Sequence, residues 1–452
     1  MNTIKTILHN ALIVNEGTVT PGYLIIEGDT ITEVGHGPCL LSQNLTDGAT
    51  VIDCCGDYLM PGVIDTHVHF RDPGLTHKAD ITTESAAAVA GGVTSYMDMP
   101  NTNPATVTLE AWENKMKHAA ECSHANYAFY IGATNDNLDT LLSMDYTRVP
   151  AIKLFLGSST GNMLVDDSET LSRLFSETNA LIAVHAEDET IIRNNREELK
   201  AKYPEGQVPL TEHATMRSRE ACLKAAKKAV EAAKSTGARL HLLHVSTADE
   251  LALLSPGPLG EKNITAETCP HYLLFTNNDI ATRGARVKCN PAIKDKSDLK
   301  ALKDALRHGL IDTIATDHAP HLPADKEGDL LKAASGMPGI QFSLPIMLSG
   351  IVTPARAAEL MSHNPATLYR INRRGFLKPG YKADIVRVKH LETPHVISDE
   401  DVVSRCGWTP FAGVPVDYEV VTTLVNGKVA FENGTVTNTI AGEPLTFGHN
   451  IC

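Results

Sequence analysis

The chain lacks most of the features that would assign it to a class at once. Its 452 residues include nine cysteines, but these are scattered, odd in number and contain no Cys-x-x-Cys pair. That pattern excludes a disulfide framework and a zinc knuckle and predicts a reducing compartment; the adjacent Cys54 and Cys55 are read as structural. An excess of positive charge is also missing. The formal net charge is −14, which argues against nucleic acid or an anionic membrane as the main partner while leaving room for a local basic pocket that takes a small anion. No apolar run approaches the length of a spanning helix, and the opening "MNTIKTILHNALIVNEG" is interrupted by His9, Asn10 and Asn15 and has no signal-peptide core. These absences predict a soluble, cytoplasmic protein with no membrane and no nucleic-acid partner. Composition is otherwise ordinary, 42% hydrophobic and 21% charged, at a length that accommodates one large domain and a smaller one.

What is present falls into two patterns. Both ends of the chain alternate short β-like runs with turn signals: "TILHNALIV" and "YLIIEGDTITEVG" near the start, "ADIVRVKH" and "YEVVTTLVNGKVAFENGTV" near the end. The Asn-Gly steps at 426–427 and 433–434 predict hairpin turns. Together the two ends predict a small β-sandwich domain, residues 1–57 and 373–452. The middle, residues 58–372, alternates apolar strand-like runs with Ala/Glu/Lys-rich helical stretches. Eight strands are predicted: "GVIDTHVHF", "GVTSYMDMP", "ANYAFYIG", "VPAIKLFLG", "ALIAVHAED", "RLHLLHVS", "NITAETCP" and "IDTIATDHAP". Helices lie between several of them, most clearly "TEHATMRSREACLKAAKKAVEAAKSTG" and "DKSDLKALKDALRHG". Apolar strands separated by helices predict a parallel sheet covered on both faces, and eight such units predict a (β/α)8 barrel.

Barrel active sites are built at the C-terminal ends of the strands. Here strand one ends in "DTHVHFRDPG". Side chains at i, i+2 and i+4 of a strand share a face, so His67, His69 and Arg71 are predicted to enter one cavity while Val68 and Phe70 pack away from it. Strand two leads to Asn101, strand four carries Lys153, strands five and six end at His185 and His244, and strand eight ends at Asp317, with His318 and His321 behind it. Singly, each has a plain structural reading: a strand-end histidine is commonly a satisfied structural group, Asp317 could cap its loop, and Lys153 could reach the rim. Structural histidines have no reason to gather at one end of strands one, five and six, so the set is read as a metal site. A lysine shielded from water is nucleophilic, and with carbon dioxide it becomes a carbamate. Four histidines, that carbamate and Asp317 make six ligand groups, too many for one open tetrahedral zinc and suited to two metals that share a bridge and activate water. The glycine-rich "GSSTGN" at 157–162 lacks the Lys-Ser/Thr of a phosphate loop and is read as the loop after strand four, shaping the pocket.

On "DTHVHFRDPG", "MPNTNP", "VHAED", "LHVSTADE", "TCPHYL" and "TDHAPH", the chain resembles the amidohydrolase superfamily and, within it, the dihydroorotases. The resemblance runs from "ILHNALIVNEG" to "VNGKVAFENG". It implies that His67, His69 and Asp317 bind one divalent metal, with zinc the first choice, that His185 and His244 bind a second, and that a carboxylated Lys153 bridges them. It further implies that Arg71, Asn101, Asn290 and His321 hold the substrate carboxylate, which suits the donor fork of a guanidinium. Asp317 would be the catalytic acid and base. His271 would orient a neighbouring ligand, "SGMPGI" at 335–340, with Pro338 and Gly339, would supply backbone contacts, and a homodimer is implied. The reaction implied is the reversible hydrolysis of L-dihydroorotate to N-carbamoyl-L-aspartate, a step of pyrimidine biosynthesis. Hydantoinases, dihydropyrimidinases and allantoinases stand as alternatives, set apart by the arginine of "HFRDPG". Non-catalytic scaffold relatives tend to lose metal ligands, all of which are present here.

Overall fold

The computed structural model describes residues 4–157 and 163–448. Residues 158–162, and with them most of the "GSSTGN" loop, lie outside the described residues. The predicted strands appear in parallel order as Val63–Val68, Val93–Asp98, Asn126–Phe129 with Ile131–Gly132, Ile152–Phe155, Leu181–His185, Arg239–Leu242, Ile264–Thr268 and Thr313–Ile314. Nearly every residue in them is buried, as expected for strands covered on both faces. The third strand is shared between two ladders: Asn126–Phe129 pairs with the second strand and Ile131–Gly132 with the fourth. The barrel closes between the first and last strands, through a parallel bridge of Val68 with His318 and a 2.7 Å bond from the His69 N–H to the His318 carbonyl.

The helices follow their local signals. Arg219–Thr236 begins where Ser218 accepts the Ala221 N–H and ends at Gly237, whose φ of +76° is the left-handed stop that glycine permits. Its buried stripe of Ala221, Cys222, Ala225, Ala226, Ala229, Val230 and Ala233 is made mostly of small residues, so the helix lies close to the sheet. The long helical stretch predicted from residue 211 is broken ahead of it: His213–Met216 is a separate short turn, and Ser218 starts the helix anew because its hydroxyl competes for the backbone. Lys296–Arg307 is capped by Asp295 in the same manner.

The two chain ends do combine, but where a sandwich was expected their strands hydrogen-bond into one continuous nine-stranded sheet. Tyr58–Pro61 lies between the N-terminal strand Lys5–Asn15, in parallel, and the C-terminal strand Ile385–Val396, antiparallel. Asn426–Gly427 and Asn433–Gly434 all have positive φ, the geometry of the tight hairpins read from sequence. This sheet has its own core around Leu8, Leu24, Ile31, Leu59, Ile385 and Leu424. Two stretches of the C-terminal part leave the sheet for the barrel. Between the strands Ile385–Val396 and Pro415–Val425, Trp408 donates its indole N–H to the His321 carbonyl at 2.7 Å. Later, Glu443, Leu445 and Phe447 bond to the backbone of Tyr127 and Thr147. No helix among the described residues is long and apolar enough to cross a membrane.

Candidate active site

The first barrel strand ends at Val68, one residue before the second histidine. Phe70 packs inward against Tyr96, with ring centroids 4.4 Å apart, and its N–H donates to Asp98 at 2.8 Å. Asp98 is fixed in turn by a buried ion pair with Lys115. Arg71 then takes a φ of +68°. His67, His69 and Arg71 do line one cavity, but Arg71 arrives there through a left-handed turn and not through the strand alternation expected from its spacing.

That cavity, of about 120 Å³, is also lined by Asn101, Lys153, His185, His244, Asn290 and Asp317. The ligand-type atoms converge. Oδ1 of Asp317 lies 2.9 Å from His69 Nε2 and 3.3 Å from His67 Nε2, and Nδ1 of His185 lies 2.8 Å from His244 Nε2. His67, His244 and Asp317 offer atoms all within 4.8 Å of one another. Burial lowers the pKa of His69 to about 4 and that of His244 well below its usual value, so these imidazoles are neutral and keep a lone pair. Burial alone would raise the Asp317 pKa, but His67 and His69 outweigh it and hold the carboxyl ionised. Neutral imidazole lone pairs converging on an ionised carboxylate make the donor set of a divalent transition metal, and the residues fit such an ion.

The outer ring nitrogens have partners that sequence reasoning missed. Glu267, on the seventh strand, faces Nδ1 of His67 at 2.6 Å, and Glu187 faces Nε2 of His185 at 2.9 Å while accepting from Arg217 at 2.5 Å. A carboxylate is acceptor-only, so each fixes the proton on the nitrogen it faces and leaves the other nitrogen for the cavity: Nε2 in His67, Nδ1 in His185. For Glu267 the available signal was a charged residue inside a predicted core strand, "ITAET". Lys153 is fully buried, with its Nζ 4.5 Å from the Phe155 ring centroid and no carboxylate within ion-pairing distance among the described residues. Burial lowers its pKa to about 7, against the opposing pull of Asp317 and Glu267.

The other side of the cavity is built for an anion. Arg71 is 7% exposed, yet among the described residues it meets no acid: Nε donates to the Pro320 carbonyl at 3.0 Å, and Nη2 lies 3.0 Å from His321 Nε2. Asp72 is engaged by His118 instead, at 3.0 Å. Burial, then the Arg71 and Lys78 cations, lowers the His321 pKa to about 2. The Oδ1 of Asn290 is buried without a partner, and Asn101 accepts from His69 Nδ1 at 2.8 Å. Ser335 and Gly336 complete the wall. Gly339, with Pro338 before it, lies behind the wall: its N–H donates to His318 Nδ1 at 3.1 Å, because His318 is turned away from the cavity by Glu84 at 2.8 Å. His271 also stands behind the wall, its ring 4.2 Å from that of Tyr272 and its Nε2 without a partner. Among the described residues it makes no hydrogen bond to a predicted ligand, whereas Glu267 and Glu187 face the ring nitrogens of His67 and His185.

A closed eight-stranded barrel with histidines, a lysine and an aspartate converging at the C-terminal mouth defines a metal-dependent hydrolase, and the chain belongs to the amidohydrolase family, whose model matches residues 58–430. Within that family it is similar over nearly its whole length to dihydroorotases. That of Halobacterium salinarum is 33% identical over 419 residues, covering 91% of this chain and 93% of that one. That of Lactobacillus johnsonii is 32% identical over 448 residues, covering 96% and 100%. Among solved structures, the L-hydantoinase (dihydropyrimidinase) of Arthrobacter aurescens superposes with a TM-score of 0.90 at 28% identity, over 98% of this chain and 99% of that one. The dihydropyrimidinase of Brevibacillus agri gives 0.87 at 26% identity, over 99% and 100%.

Proposed function

We propose that the protein is a dihydroorotase, a cyclic-amide hydrolase that interconverts L-dihydroorotate and N-carbamoyl-L-aspartate in pyrimidine biosynthesis. The observation that carries this reading is the buried Arg71 guanidinium, which opens on the cavity and pairs with no acid among the described residues. A neutral ring, as in hydantoin, dihydrouracil or allantoin, would leave that charge unpaired in a low-dielectric site, whereas the exocyclic carboxylate of dihydroorotate pairs with it. The sequence relatives described above are dihydroorotases and the solved structures described above are a hydantoinase and a dihydropyrimidinase, so the two readings share the same barrel and the arginine favours the first.

In this reading His67, His69, His185, His244, Asp317 and Lys153, carboxylated on its amine, would hold two divalent ions; zinc suits the imidazole-rich set. When bound, such ions supply Lewis acidity toward the ring carbonyl and bring the ionisation of water near neutral pH. Arg71, Asn101, Asn290 and His321 hold the carboxylate and orient the ring, so the scissile amide is presented at the Asp317 side of the cavity. Asp317, ionised at rest, takes the proton of the attacking water and returns it to the departing ring nitrogen as the C–N bond breaks. Glu267 and Glu187 keep the two imidazoles turned the right way throughout. We place the barrel at residues 58–372 and the small domain at 1–57 and 373–452, with a homodimer in the cytoplasm as the working form.

The test is turnover of L-dihydroorotate by the metal-loaded protein, with hydantoin, dihydrouracil and allantoin in parallel. Preference for dihydroorotate, abolished in Arg71→Ala at unchanged metal content, supports the reading. Preference for a neutral ring overturns the substrate and keeps the hydrolase.

A further inference from the structure

Lys326 takes no part in the chemistry above, yet it is 8% exposed beside the cavity, at the end of the short helical turn Pro323–Lys326 that follows His321. It makes no ion pair among the described residues. Its Nζ donates to three carbonyl oxygens, those of Lys288 at 3.1 Å, Ala334 at 2.7 Å and Gly336 at 2.7 Å. An ammonium has three donors and no acceptor, so three carbonyls saturate it. Burial, followed by the neighbouring Lys288 and Arg71 cations, lowers its pKa to about 7; the three carbonyl dipoles favour the charged form and oppose that shift.

The three carbonyls belong to two segments that wall the cavity. Lys288 stands two residues before Asn290, and Ala334 and Gly336 flank Ser335. Those segments are also joined by the Gly336 N–H on the same Lys288 carbonyl at 2.9 Å and by the Lys288 ammonium on the Ala333 carbonyl. Trp408 adds a third link from behind the lining. Its ring centroid lies 5.6 Å from Lys326 Nζ, and its indole N–H holds the His321 carbonyl at 2.7 Å.

We infer that Lys326, backed by Trp408, is the positioning residue for the anion-binding side of the cavity: it ties the Asn290 and Ser335–Gly336 walls together, with Trp408 holding His321 against Ser335, before substrate arrives. The inference takes the identity of the ring from the dihydroorotase reading, but its geometry is independent of that reading. Residues that line a site without touching the reacting atoms still set its register, and a displacement of about 1 Å costs up to about a hundredfold.

The test uses the full-length, metal-loaded protein with Lys326→Met, which keeps the apolar stem and removes all three donors, and Trp408→Phe, which keeps a ring and removes the N–H. KM for L-dihydroorotate is expected to rise about tenfold in the first and about threefold in the second, with kcat within about threefold of wild type and metal content unchanged. A purely structural role would lower the folded fraction, which reduces apparent kcat and leaves KM alone. Unchanged KM in both variants overturns the inference, as does a loss of kcat without a rise in KM. If Lys326→Met does not fold, Trp408→Phe decides by the same KM criterion. The wild-type protein judges the substrate reading separately: should it hydrolyse only a neutral ring, that reading fails, and the role of Lys326 is decided by the KM ratio for that ring, which meets the same walls.

Discussion

Oε1 of Glu267 lies 2.6 Å from Nδ1 of His67, a contact between the seventh and first barrel strands in which both side chains are fully buried. The other oxygen of the same carboxylate faces His241 Nε2 at 3.3 Å. An acid buried this deeply is tolerated only when it is paired, and here pairing also sets which nitrogen of His67 faces the cavity.

Glu267→Gln tests this directly. Burial alone would raise the Glu267 pKa, but His67 and His241 outweigh it and keep the group ionised, so a neutral amide removes a charge that the imidazole depends on. Metal affinity, measured by competition with a chelator, is expected to fall about ten- to a hundredfold with the fold retained. An unchanged affinity would contradict the orienting role.

Arg71→Lys keeps the charge and removes the planar fork. KM for dihydroorotate is expected to rise about ten- to a hundredfold, the equivalent of losing a charge-assisted hydrogen bond, with metal content unchanged. Steady-state kinetics beside metal analysis check it; a KM equal to wild type would mean that the guanidinium does not clasp the carboxylate.

Lys153→Met removes the amine that carbon dioxide would modify. Activity and metal affinity are both expected to fall by about ten- to a hundredfold. In wild-type apoprotein, added bicarbonate should speed metal uptake; in the variant it should not. Equal uptake rates with and without bicarbonate in wild type would refute the carbamate.

Gly336 has a φ of +135°, and a Cβ there would stand 2.8 Å from the Ala319 carbonyl oxygen and 3.0 Å from Cδ2 of His321. Gly336→Ala should therefore destabilise the protein by ~1–3 kcal/mol and raise KM together, because the strain is relieved only by moving the wall. Urea unfolding and kinetics on the same preparation check the coupling.

His213 is buried with Nε2 unpartnered, and burial, then the Lys288 and Arg217 cations, pushes its pKa well below 6.5. The unfolded chain binds this proton more readily than the folded one, so stability is lost as pH falls below about 6.5, at up to ~1.4 kcal/mol per pH unit for the single group. His213→Gln removes the titration and should flatten the dependence of urea midpoints between pH 7.5 and 5.5, pH values chosen to bracket the ordinary imidazole range. Parallel curves for variant and wild type would show that another group governs the acid limb.

The barrel, the tight hairpins and the metal-type cluster were legible in the amino-acid sequence because each is written locally. Apolar runs of strand length alternate with helical stretches, Asn-Gly supplies two positive-φ residues in a row, and ligand-type side chains stand at the ends of strands whose direction the fold fixes. What only the tertiary structure decided lies between distant segments. Glu267 meets His67 across 200 residues of chain, and Arg71 meets His321 across 250. Trp408 reaches the same loop from between two strands of the terminal sheet, and Lys326 finds its acceptors on carbonyls that no side-chain pattern marks. A strand pattern tells which face a residue takes, but not which buried group will be there to balance its charge or hold its proton; that depends on how the barrel closes.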